Sequence, residues 1–70
     1  MITLEQISKN LQQKIKNSGL TQAEIAKRLN ISKQAVSSYV HGKTMPALDT
    51  FANLCKEVGI DPLYILCLSK

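Results

Sequence analysis

At 70 residues the chain is sized for one domain, residues 1–70, and a domain this small buries only about 60% of the surface its unfolded chain exposes, which leaves little room for an enclosed active site. Hydrophobic residues make up 44% and charged residues 20%, a globular composition that excludes a disordered tail. The net charge of +4 suits a polyanionic partner as well as it suits an ordinary basic surface.

The elements read as helices throughout, so the expected class is all-α, a compact five-helix bundle. The first helix runs from about Thr3 to Asn17. Leu4, Ile7, Leu11 and Ile15 recur at steps of three and four, which makes one apolar stripe. Thr3 and Gln6 form a capping box, and Gly19 can take the left-handed conformation that ends a helix. Lys9, Lys14 and Lys16 are expected to face water.

The second helix is short, about Gln22 to Leu29, opened by a capping box of Thr21 and Glu24 and buried through Ile25 and Leu29. Ser32 is the expected N-cap of a third helix running to about His41. Gly42 stops it, and Gly42 to Pro46 is a loop, because Pro46 disfavours a helical Met45. The fourth helix covers about Leu48 to Val58, with Leu48, Phe51, Leu54 and Val58 inward and Gly59 closing it. Asp61 caps a fifth helix, about 62–68, with Pro62 at the first position, where a missing N–H costs nothing. Tyr39 and Phe51 are expected in the core.

The stretch from Thr21 to His41 carries the functional signal. Two short helices are joined by so few residues that they must cross steeply, a helix-turn-helix. The close approach needs a small side chain, and Ala26 supplies it. The turn needs a residue tolerant of positive φ, and Asn30 is second to glycine there. Ile31 plugs the inner angle, and Val36 with Tyr39 or Val40 faces the core. The outer face then holds Lys33, Gln34, Ser37 and Ser38, slim and polar. A helix enters the major groove if its side chains can exchange hydrogen bonds with base edges; Gln suits adenine, Lys suits guanine, and Ser takes either role. The helix start at Ser32 and the preceding helix start at Gln22 offer free N–H groups to phosphate.

Thr21-Gln22-Ala23-Glu24-Ile25-Ala26-Lys27-Arg28-Leu29-Asn30-Ile31-Ser32-Lys33-Gln34-Ala35-Val36-Ser37-Ser38-Tyr39, followed by Gly42-Lys43-Thr44 and Pro46, resembles the lambda-repressor-like (Cro/Xre-type) helix-turn-helix family. The likeness covers about Leu4 to Leu66. It implies that Gln22 anchors a phosphate, that Lys33, Gln34 and Ser38 face bases with Ser37 beside them, and that Lys43 and Thr44 contact the DNA backbone, or a base edge through Thr44. The family usually has glycine where this chain has Asn30, and often a glutamate where it has Val40.

From Ile60 to Leu68, seven of nine residues are apolar. A short helix that is apolar nearly all round needs a second partner. Ile65 or Leu66 is expected to pack inward, leaving Leu63, Tyr64, Cys67 and Leu68 as a dimer interface. The leading expectation is therefore a sequence-specific regulator of transcription, most simply a repressor, that binds double-stranded DNA as a homodimer on a pseudo-palindromic operator. The alternative is a protein-interaction module, such as an antitoxin holding a toxin.

An enzyme is not expected. The chain has no paired carboxylates at useful spacing and no Gly-rich phosphate loop, and Cys55 and Cys67 lie in apolar stripes where a thiol is inert. His41 has no evident acidic neighbour. No CxxC pair is present, and His41 alone could join the two cysteines, so neither metal nor cofactor is expected. With no secretory signal or membrane span in the sequence, the expected location is the cytoplasm, with reduced thiols.

Overall fold

Helix starts are set by side chains that satisfy the amides a helix leaves unpaired. In the computed structural model, which describes residues 1–69, Thr3 Oγ1 accepts from the Gln6 amide (3.2 Å) while Gln6 Oε1 accepts from the Thr3 amide (2.9 Å). That box opens α1 (Leu4–Asn17). Thr21 and Glu24 repeat it at 3.0 and 3.1 Å to open α2 (Gln22–Leu29). Ser32 Oγ accepts from the Ala35 amide (3.0 Å) at the start of α3 (Lys33–Val40). α4 (Leu48–Val58) follows Pro46 with no side-chain cap, and Asp61 caps α5 (Pro62–Ile65) through the Leu63 amide (3.0 Å). The described residues contain these five helices and no strand.

The helices close on one core. Leu11 and Ile15 from α1, Ile25 and Ala26 from α2, Val36 and Val40 from α3, Leu54 from α4, and Ile60 and Ile65 make it up. Fully burying a side chain of this kind contributes about 1.5–3 kcal/mol. α3 packs on both α1 and α2, α4 packs on α2, and α5 packs on α1. Val40, where the family often has an acid, is part of this core. Tyr39 and Phe51 are half-buried against it.

The corner between α2 and α3 depends on Asn30, which takes φ 55° and ψ 45°. Its reversal lets the Ile31 amide donate to Ala26 O (3.0 Å) and the Asn30 amide to Lys27 O (3.3 Å). Ala26 is buried at the close approach, and Ile31 packs against the core from the inner angle.

Three expectations from the sequence need correction. Leu4 and Leu48 are 71% and 86% exposed; each is the first residue of its helix and lies beyond the edge of the packed face. The fifth helix ends at Ile65 instead of about Leu68. Cys67 adopts φ 63°, and the amides of Leu68 and Ser69 return to Leu63 O (2.8 and 3.0 Å). The carbonyls of Tyr64 and Ile65, which a longer helix would give to those amides, instead accept from Asn10 Nδ2 (3.3 Å each). The Asn10 side chain from α1 thus caps the end of α5, beside the Cys67 amide, which also donates to Tyr64 O (3.1 Å).

Asn30→Gly is expected to hold or raise the urea midpoint. Asn30→Val, β-branched and forced into the left-handed region, should lose about 1–2 kcal/mol. Equilibrium urea denaturation of the three proteins compares them. Glu24 adds a pH dependence. The Thr21 amide, then its hydroxyl, holds the Glu24 carboxyl below its usual range. Its contribution is complete above the ordinary carboxylate range and is lost as pH falls through the lowered value, so helicity followed by circular dichroism should fall through that range in wild type and change less in Glu24→Gln, whose amide can keep the capping box without titrating there.

Candidate nucleic-acid interface

Because Val36 and Val40 are committed to the core, helical periodicity turns Gln34 and Ser38 to the opposite side of α3 and sets Lys33, at the first position of the helix, and Ser37 on its flank. Lys33 and Gln34 are exposed, and Ser37 and Ser38 are half-buried. The first turn of α3 carries no acidic residue. Neither Lys33 nor Lys43 pairs with a carboxylate among the described residues; the ion pair found there is Lys9 with Glu5, at 3.3 Å on the exposed side of α1. The result is a narrow polar face with an unneutralised cation at its leading end.

The serine and glutamine positions are not equally free. Ser32 Oγ is occupied by its cap, although the residue is exposed. His41 Nδ1 lies 2.8 Å from Ser37 O and 3.2 Å from Ser37 Oγ. A carbonyl oxygen can only accept, so Nδ1 carries the proton and the ring folds back over Ser37. Gln34 has no such partner among the hydrogen bonds of the described residues, and its amide can offer a donor and an acceptor together. Gln22 is half-buried in the first turn of α2.

After α3 the chain reverses at Gly42, which has φ 72°. The Gly42 amide donates to Tyr39 O (3.2 Å) and the Lys43 amide to Ser38 O (2.9 Å), a glycine helix stop that satisfies the last carbonyls. Lys43 and Thr44 project from this reversal and are exposed, while Met45 returns to the core. The structure therefore brings the α3 face and the loop residues together as consecutive parts of one helix end.

The apolar C-terminal residues lie elsewhere. Leu63, Tyr64 and Leu68 are exposed, and Lys14 Nζ sits 4.4 Å from the Tyr64 ring centre, a cation–π contact. Ile65 is the residue of this segment that is fully buried. Cys67 is half-buried, with its sulfur 3.3 Å from Asn10 Nδ2, so it faces α1 more than Leu63 and Leu68 do.

Sequence reasoning missed the polar side chains that tie helices together. Asn10 holds α5, and Arg28 Nη1 donates to Glu57 O (3.1 Å) at the end of α4. Gln12 Nε2 donates to Ser8 Oγ (3.0 Å) beside the Gly42 reversal. Gln12 and Ser8 are one helical turn apart and within reach of a spacing rule, whereas the partners of Asn10 and Arg28 lie too far along the chain for any such rule to find them.

Among the described residues no helix is long and apolar enough to cross a membrane, and no group of His, Cys, Asp or Glu could hold a metal ion. Both cysteines are free thiols. A family model described as helix-turn-helix matches residues 11–65, a span that takes in α2, α3, the loop and α4. No curated protein and no solved structure matches the chain.

Burial, and to a smaller extent the Asp61 carboxylate, pushes the Cys55 thiol up. A raised value means the native state keeps its proton longer than the unfolded chain does. Stability from this group is therefore complete below the ordinary thiol range and falls as pH rises through it. Urea denaturation across that range should show the decline in wild type and a flatter profile in Cys55→Ala. In timed labelling with an aromatic disulfide reagent, Cys67 should react before Cys55.

Proposed function

Because the chain belongs to the Cro/Xre-type helix-turn-helix family of DNA-binding transcription regulators, we propose that it is a sequence-specific repressor. In this reading residues 1–70 serve as one DNA-binding domain and act in the cytoplasm as a homodimer on a pseudo-palindromic operator. The observation that carries the reading is the acid-free outer face of α3, with exposed Lys33 and Gln34, held by the Asn30 corner beside an exposed Lys43–Thr44 loop.

The roles follow from chemistry. Gln34 bonds adenine through its amide and Lys33 donates to guanine, with Ser38 and Ser37 completing the base-facing row. Ser37 contributes less while its hydroxyl stays with His41. Gln22, the amide end of α3 at Ser32, Lys43 and Thr44 hold phosphates. Those contacts fix the register of the protein on the duplex, whereas base contacts carry the sequence information. Repression is steric, by occupying the site polymerase needs.

The exposed Leu63, Tyr64 and Leu68 support a two-fold contact between copies, in which each surface meets its own equivalent. Cys67 lies at the edge of that contact. Two copies joined this way would set half-sites about 34 Å apart. The same exposed residues favour the second reading, a protein-interaction module such as an antitoxin, in which another protein covers them.

Selection from a pool of random duplexes at two salt concentrations tests the proposal. An inverted repeat with half-sites about ten base pairs apart, and affinity that falls steeply with salt, is the expected result. Absence of any binding would overturn it and favour the protein-interaction reading. On the selected duplex, Gln34→Ala should lose about 1–3 kcal/mol and relax one base position, whereas Lys43→Ala should weaken all sequences alike. Leu63→Asp with Leu68→Asp should shift sedimentation from dimer to monomer; a monomeric wild type would remove the homodimer.

A further inference from the structure

The loop that carries Lys43 and Thr44 rests on α1, and the contact is close. A side-chain carbon added at Gly42 would lie 2.6 Å from Gln12 Nε2 and 3.4 Å from Ser8 Oγ. Gln12 Nε2 is itself held by Ser8 Oγ at 3.0 Å, one helical turn away. The backbone of the reversal is thus seated directly against a glutamine whose amide is aimed by a serine. Beyond the seat, Met45 and Pro46 are half-buried, so the exposed Lys43–Thr44 pair is fixed at both ends.

Glycine at position 42 is favoured by its φ of 72°, in the left-handed region, and any side chain there would have to displace the end of Gln12. The Lys43 amide bond to Ser38 O (2.9 Å) forms only while the reversal keeps this geometry. A groove of about 420 Å³ runs along the seat, lined by Ser8 and Gln12 on one side and His41, Lys43 and Thr44 on the other. It is open solvent next to the contact, so the loop has room to shift if the contact is lost.

We propose that Gln12, aimed by Ser8, is a positioning residue for DNA binding: it sets the height of the Lys43–Thr44 loop above α1 and so places the phosphate-contacting groups in register with the α3 face. The proposal rests on the DNA-binding reading above. Gln12 touches no DNA in this scheme. It acts through Gly42, and its value lies in pre-arranging a contact that a free loop would have to order on binding.

The test compares wild type, Gln12→Ala, Gln12→Met, Lys43→Ala and the double variant Gln12→Ala/Lys43→Ala. Amide hydrogen exchange, without DNA, reads local opening of the reversal. In Gln12→Ala, exchange at the Lys43 amide should rise while Leu11 and Ile15 amides stay protected, showing that α1 and the core are intact. On the selected duplex, Gln12→Ala should lose about fivefold in affinity, uniformly across sequences, with a salt slope shallower by about 1, as for Lys43→Ala. The double variant should bind no more weakly than Lys43→Ala alone. Gln12→Met, which keeps bulk against Gly42, should recover most of the loss. Unchanged Lys43 exchange in Gln12→Ala, or losses that add in the double variant, would overturn the proposal. Faster Lys43 exchange in Gln12→Ala together with a wild type that binds no duplex would overturn the DNA-binding reading as well, and would reduce the seat to a structural contact.

Discussion

The architecture turns on one backbone reversal. Asn30 in the left-handed region ends α2 and launches α3 at a steep angle within three residues. Few L-residues enter that region without strain, and asparagine is among them. The reversal would be useless without Ala26, whose small side chain lets α3 approach, or without Ile31, which fills the inner angle. Together these three residues decide that α3 shows one face to the core and the other to solvent. Every functional assignment for Lys33, Gln34 and Ser38 inherits that orientation.

The rest of the bundle holds the corner rigid. α1 packs on α3 and α4 packs on α2. Polar ties supplement the apolar core: Arg28 joins α2 to the end of α4, and Asn10 joins α1 to α5. Each gives an amide or guanidinium donor to carbonyls at a helix end, which lack partners otherwise. Individually a hydrogen bond of this kind adds little net stability. Their effect is to choose one arrangement among several that would bury the same leucines and isoleucines.

Two surfaces compete for interpretation, and they differ in chemistry. The α3 face with its following loop is polar and cationic, fitted to a polyanion whose phosphates supply affinity and whose bases supply selectivity. The Leu63, Tyr64 and Leu68 surface is apolar and lies on the last segment of the chain. A dimeric repressor uses both at once, one for DNA and one for symmetry, and that economy is why the reading is preferred over a partner-binding module that leaves the α3 face idle.

Much of this was legible in the sequence because the controlling signals are local. The Thr3–Gln6 and Thr21–Glu24 boxes, the Ser32 cap, the positive-φ demand met by Asn30 and the three-and-four spacing of Leu11 with Ile15, Ile25 with Leu29, and Leu54 with Phe51 and Val58 all act within one or two helical turns. They fix the helices, the corner and hence the candidate face. Tertiary structure decided what depends on meeting a distant segment. Leu4 and Leu48 continue their stripes in sequence yet lie past the end of the packed surface. α5 ends early, and its last carbonyls accept from Asn10, far away in the chain. Gln12 meets Gly42 through a contact whose geometry no periodicity encodes, whereas the His41 ring reaches Ser37 one turn back on its own helix. Local hydrogen bonding and helical period are properties of neighbouring residues and can be read in order; which helix end receives which polar side chain is settled when the core closes and brings those residues within reach.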